Sequence, residues 1–145
     1  LETERKGEWQ VTPDFKLTTA IDRLERHPDG SASFIDYKTG AAPDKSDVKE
    51  GVSAQLPLEA LVLGIKTPRE LAYWKLAGAR GEVTVLDNPA ELCALAEARL
   101  KALLEAFSNP DMPYLASPDS EYELRYNDYE HLERREEWEW QKEEV

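Results

Sequence analysis

A single cysteine, Cys93, is the first thing this 145-residue chain is short of. One thiol excludes an internal disulfide and any multi-cysteine zinc or iron–sulfur site built within the chain, and it fits a reducing cytoplasm. No apolar run approaches the roughly 20 residues of a membrane span, and no signal peptide opens the sequence. The text starts mid-pattern at Leu1 and reads as a fragment of a longer protein. Basic residues are also scarce, 18 Lys and Arg against 30 Asp and Glu, for a net charge of −12. That balance argues against a general nucleic-acid-coating surface, which is normally basic. It leaves room for a small catalytic site that meets DNA through metal ions.

What remains is enough to fold. With 41% hydrophobic residues and strand-like and helix-like segments in alternation, the chain reads as one globular α/β domain with a respectable core. Expected strands are Glu8–Thr12, Phe15–Arg26 and Ala32–Lys38, and Gly40–Lys45 is a loop. A buried helix follows over Ser53–Leu63, with Ser53 as N-cap, Pro57 tolerated in the first turn, and Gln55 near the positive helix end, which favours phosphate. Glu70–Leu76 and Glu82–Leu86 form a strand pair around Gly78-Ala79-Arg80-Gly81. A helix from Asn88-Pro89 to Phe107 carries one apolar stripe, with Cys93 as a core filler. A Pro-rich connection, Asn109–Ser120, leads to a polar helix over Tyr126–Trp140 whose alternating charges suit a solvated face or a docking surface. The order implies a mixed sheet flanked by helices.

The chemistry concentrates in Phe34-Ile35-Asp36-Tyr37-Lys38-Thr39-Gly40, with Asp22 on the strand before it. Asp36 and Lys38 project from one side of a strand because side chains alternate with period two. His27-Pro28-Asp29-Gly30 reads as the turn between the two strands. A hairpin centred there sets Arg26 opposite Ala32, Leu24 opposite Phe34, and Asp22 opposite Asp36. Opposed carboxylates repel, so a protein that keeps such a pair shares a proton or places a cation between them. A one-residue slip would put the two acids on opposite faces. The alternative is an exposed ribbon face on which Lys38 simply neutralises Asp36. His27 reads as solvated, Trp9 and Trp74 as core, and Trp138 and Trp140 as caps on the sheet or contacts to a missing domain.

Asp22, then Asp36-Tyr37-Lys38-Thr39-Gly40, then Gln55-Leu56-Pro57-Leu58-Glu59-Ala60 together resemble the PD-(D/E)XK nuclease superfamily in its RecB-like branch. Within it, the string looks most like the C-terminal nuclease domain of AddB, partner of AddA in the helicase–nuclease that processes double-strand DNA breaks. The resemblance implies a restriction-endonuclease-like core and Mg²⁺-dependent (or Mn²⁺-dependent) hydrolysis of DNA phosphodiester bonds. It implies Asp22 and Asp36 as metal ligands, with the Tyr37 carbonyl completing the shell. Lys38 becomes the catalytic lysine and Gln55 a supporting glutamine, while Glu59 stands where many members have tyrosine. Implied partners are DNA, an AddA-type subunit and the rest of the parent chain, without a membrane, in the bacterial cytoplasm. Family members usually place a Glu or His on a helix before the first strand, upstream of this fragment. The four-cysteine iron–sulfur cluster of some AddB proteins is not expected in this chain. A rival expectation is a nuclease-like scaffold without catalysis; a Cas4-type exonuclease, normally rich in cysteine, ranks lower.

Overall fold

Strand-forming alternation in the first third of the sequence builds three consecutive antiparallel strands, β1 (Glu2–Thr12), β2 (Phe15–Arg26) and β3 (Ala32–Lys38). A computed structural model describes residues 1–76 and 81–114. The expected helix at 126–140, its aromatics, and part of the turn at 78–81 lie outside the described residues. After β3 come a short helix α1 (Lys45–Glu50), the apolar helix α2 (Gln55–Val62), strands β4 (Glu70–Lys75) and β5 (Glu82–Val85), and the long helix α3 (Pro89–Ser108). The sheet order is β1-β2-β3-β4-β5, with β4 parallel to β3 and the other neighbours antiparallel. A parallel neighbour needs a crossover, and α1 and α2 supply it. This is the expected mixed sheet flanked by helices, an α/β fold of restriction-endonuclease type. The described chain forms one unit over Leu1–Phe107; the rest, from Ser108, belongs to a second.

The β2–β3 hairpin has the register read from its turn: Arg26 pairs with Ala32, Leu24 with Phe34, and Arg23 with Ile35. The turn is closed by the Gly30 N–H donating to the His27 carbonyl (3.0 Å). Gly30 sits at φ 83°, a conformation open to glycine without a Cβ penalty.

β3 is the central strand, and five of its residues from Ala32 to Asp36 are buried. Leu24, Phe34, Leu71 and Tyr73 join Leu56, Ala60 and Leu61 of α2 and Leu92, Cys93 and Ala96 of α3 in one core. Each fully buried large apolar side chain contributes roughly 1.5–3 kcal/mol. α2 packs close to β1 at Gly7, where an added Cβ would lie 2.7 Å from Leu63 Cδ2 and 2.8 Å from Val62 Cγ1.

Several local expectations need correction. β1 begins at Glu2 rather than Glu8. The α1 helix occupies a stretch without a predicted element. α2 starts at Gln55 with Ala54 as its cap residue and no side-chain capping bond, so Ser53 is not the N-cap. Its N-terminal turn is held by the Leu58 N–H donating to the Ala54 carbonyl (3.0 Å).

Candidate functional site

Asp22 is the point at which the sheet's regularity breaks. The β1–β2 ladder pairs Thr3 with Arg23 and Arg5 with Ile21 but skips Glu4 and Asp22, and Glu4 adopts φ 50°. The β2–β3 ladder ends at Arg23–Ile35, one step short of Asp22–Asp36. Ile21 and Leu24 both reach the core, although strict alternation would send residues three apart to opposite faces. The β1–β2 register is the same on either side of this gap, and its shift falls farther along, between Gln10 and Thr12. The regular pair expected between Asp22 and Asp36 is therefore replaced by a side-chain contact: the Tyr37 N–H donates to Asp22 Oδ2 (3.0 Å).

Strand alternation also orients the Tyr37 peptide. The carbonyls of Ala32 and Lys38 accept from Arg69 N–H (2.8 Å) and Leu76 N–H (2.9 Å) on the β4 side. Odd-numbered residues of β3 thus turn their backbone groups toward β2, and the Tyr37 carbonyl faces the side where Asp22 stands. The Tyr37 ring belongs to another cluster: its hydroxyl accepts from Arg23 Nη1 (3.1 Å), and its ring meets Trp74 edge-on at 6.0 Å. Trp74, expected in the core, is half-buried beneath the Arg23 guanidinium, 4.9 Å from its ring centroid.

Asp36, Lys38 and Gln55 form a closed polar network between β3 and the start of α2. Lys38 Nζ lies 2.9 Å from Asp36 Oδ2 and donates to Gln55 Oε1 (2.9 Å). Gln55 Nε2 donates to Asp36 Oδ1 (2.7 Å) and Glu59 Oε1 (3.0 Å). Asp36 is 4% exposed and Glu59 5%. Lys38 Nζ sits 5.5 Å above the Tyr73 ring, whose phenol burial pushes upward, keeping it neutral. Burial raises the Glu59 carboxyl to about 7; the Gln55 bond opposes this, the charges of Asp36 and Asp22 add to it, and Lys38 counters them. The influence of all three charges on one carboxyl puts Asp22, Asp36, Lys38 and Glu59 in a single electrostatic neighbourhood.

The donor set suits a hard divalent cation, which prefers carboxylate and carbonyl oxygen. Asp36 Oδ2 has the Lys38 ion pair but no aligned hydrogen bond, and Glu59 Oε2 has no hydrogen-bond partner among the described residues. An orphaned buried carboxylate oxygen such as Glu59 Oε2 calls for an ion or a proton. Among the described residues no three acidic, His or Cys side chains stand close enough to be a ready-made cage; the Gln55 amide stands between Asp36 and Glu59. A shallow groove of about 160 Å³, bounded by Leu17, Thr19, Leu58 and Val62, opens beside Gln55 and Glu59.

The model of the PD-(D/E)XK nuclease superfamily matches residues 1–122. The chain belongs to that superfamily. Among curated proteins, the chain is 38% identical over 63 residues to an uncharacterised protein of Rickettsia conorii and 36% identical over 63 residues to one of Rickettsia felis. Each match covers 41% of this chain, and 8% and 7% of those relatives respectively. The crystal structure of SSO0001 is 16% identical, with a TM-score of 0.44 over 70% of this chain and 50% of that one.

Of the four residues expected in the nuclease centre, Asp36, Lys38 and Gln55 contact one another where β3 meets the start of α2, and Asp22, within β2, is tied to the neighbouring Tyr37 N–H. His27 does not join them. It is half-buried rather than solvated, with Nε2 2.8 Å from Oγ of the buried Ser33, a bond that ties down the hairpin turn. The residue whose part in the network sequence reasoning missed is Glu59. Its signal was available, since Gln55 and Glu59 are four apart on a helix and share a face.

Proposed function

We propose that this domain is a Mg²⁺-dependent deoxyribonuclease acting within an AddAB-type helicase–nuclease that processes double-strand breaks. The observation that carries the reading is the linked set Asp36–Gln55–Lys38 on a central strand, with Asp22 tied to the neighbouring Tyr37 peptide. Asp22, Asp36 and the Tyr37 carbonyl would hold the cation. Bound there, it would acidify a water and offset charge developing on the phosphate.

The chain's own residues do the positioning. Gln55 fixes Lys38 by accepting from its ammonium, and before the cation binds it also holds Asp36 by donating to Oδ1. Lys38, half-buried, keeps a fixed ammonium at the edge of the site, where it stabilises an anionic phosphate or guides proton removal from the attacking water. α2 begins at Gln55, so the positive end of the helix dipole lies beside the cluster and favours negative charge there. The net negative chain meets DNA through these few groups rather than a basic surface. DNA, an AddA-type helicase subunit and the rest of the parent chain are the partners of this reading, in the bacterial cytoplasm.

A scaffold without catalysis is the second reading. It is favoured by the closed hydrogen-bond network around Asp36, which leaves Lys38 and Gln55 satisfied without a substrate. Asp36→Ala and Lys38→Ala in the parent complex separate the two, using linear DNA with Mg²⁺ and, as control, with EDTA. The nuclease reading expects Asp36→Ala to remove this subunit's metal-dependent cleavage. It expects Lys38→Ala to lower the rate by about 10²–10³, the usual loss for one preorganised donor. Unchanged cleavage by this subunit in both variants would establish the scaffold.

A further inference from the structure

We propose that Glu59 is a third carboxylate of the cation site, and that the Gln55 amide holds the space between Glu59 and Asp36 until the cation enters. The inference rests on the metal-dependent nuclease reading and extends it to a residue outside the Asp22–Asp36–Lys38–Gln55 set.

Position comes first. Glu59 lies on the buried face of α2, among Leu56, Ala60 and Val62. An apolar residue there would extend the core at no electrostatic cost. Glu59 instead brings a carboxyl to 5% exposure, with Oε2 lacking any hydrogen-bond partner among the described residues. Asp36 Oδ2, in the same cluster, has the Lys38 ammonium at 2.9 Å but no aligned hydrogen bond. A buried carboxylate oxygen with no partner, as at Glu59, is costly unless it is protonated or something positive arrives.

The Gln55 amide shows where it would arrive. Its Nε2 donates one hydrogen to Asp36 Oδ1 (2.7 Å) and the other to Glu59 Oε1 (3.0 Å). Its orientation is set by Oε1 accepting from Lys38 Nζ. An NH₂ group that bridges two carboxylates is a weak electropositive stand-in for a cation between them. Charge balance agrees. Asp22, Asp36 and Glu59 would carry three negative charges when ionised against the one ammonium of Lys38. Arg23, the nearest other cation on β2, is committed to Glu25 and the Tyr37 hydroxyl. The deficit of two matches a divalent ion.

The test is calorimetric titration of the purified 145-residue chain with Mn²⁺ at pH 8, comparing the unsubstituted protein, Glu59→Gln, Glu59→Asp and Asp36→Asn. Circular dichroism melting in EDTA accompanies each. The proposal expects Glu59→Gln to weaken Mn²⁺ binding by about tenfold or more, as losing a group around a metal does. It expects Glu59→Asp to restore part of the loss, and Glu59→Gln to melt higher than the parent in EDTA, because a repelling charge is gone. Asp36→Asn should lose binding outright. Unchanged Mn²⁺ affinity in Glu59→Gln, with binding lost in Asp36→Asn, overturns the proposal and leaves the nuclease reading standing. A Glu59→Gln chain that melts lower in EDTA or does not fold marks Glu59 as a packing residue and overturns it too. Absence of Mn²⁺ binding by the unsubstituted chain, or its persistence in Asp36→Asn, sinks both.

Discussion

Replacing Glu59 by glutamine should stabilise the fold at high pH and leave it nearly unchanged in acid. The carboxyl titrates near 7 in the folded chain against an ordinary 4.5, chiefly because burial disfavours its charge. The folded state therefore binds this proton more tightly than the unfolded state does. Below about pH 4.5 the group is protonated in both states and contributes no pH-dependent term. As pH rises toward 7 the unfolded chain releases its proton first, and native stability falls. Above 7 the penalty is complete. At about 1.4 kcal/mol per pH unit, the interval from 4.5 to about 7 corresponds to about 3 kcal/mol. Glutamine has the same shape, can still accept from Gln55 Nε2, and does not titrate. Urea denaturation followed by tryptophan fluorescence at pH 4.5, 6, 7.5 and 9 (~1.5-unit steps) measures the difference directly. The expected gap between Glu59→Gln and parent opens from near zero to about 3 kcal/mol across that range. A gap that stays flat, or one that closes with rising pH, would show that Glu59 is not a buried, reluctantly ionised acid, and the reasoning would fail.

Two further outcomes concern the scaffold that presents the site. Leu56→Ala, next to Gln55 at the start of α2 and fully buried, should cost about 2–5 kcal/mol in urea denaturation and loosen Gln55 with it. Gly7→Val should cost about 1–3 kcal/mol, because its side chain would run into Val62 and Leu63 where β1 passes α2.

How much of this was legible in the sequence differs from element to element, for physical reasons. β2 and β3 were readable to their end residues, because an apolar alternation was bounded by a Pro-Asp-Gly turn that also fixes the register. That Asp22, Asp36 and Lys38 meet was legible from the hairpin spacing, whereas Gln55 joined them only through the family resemblance. The manner of their meeting was not. The break at Asp22 depends on Glu4, across the β1–β2 ladder, and no local pattern in β2 announces it. The N-terminal half of β1 was missed because Glu2, Glu4, Arg5 and Lys6 show no apolar face on an edge strand. The α1 helix was missed because Lys45–Glu50 offers one buried residue, Val48. Ser53 had the right chemistry for a cap, yet the chain turns helical two residues later and leaves it outside. Glu59 was noted only as standing where many members of the resembled family have tyrosine, and its burial against β3 and the core needs the packed structure to be seen.

Asp22 is absent from both neighbouring ladders, so its hold on β3 passes through its side chain, the acceptor of the Tyr37 N–H. Position 22 is a seam: a side chain that cannot accept there would leave that amide without its partner. A change at this acid meant to alter the site would therefore also be felt by the strand beside it.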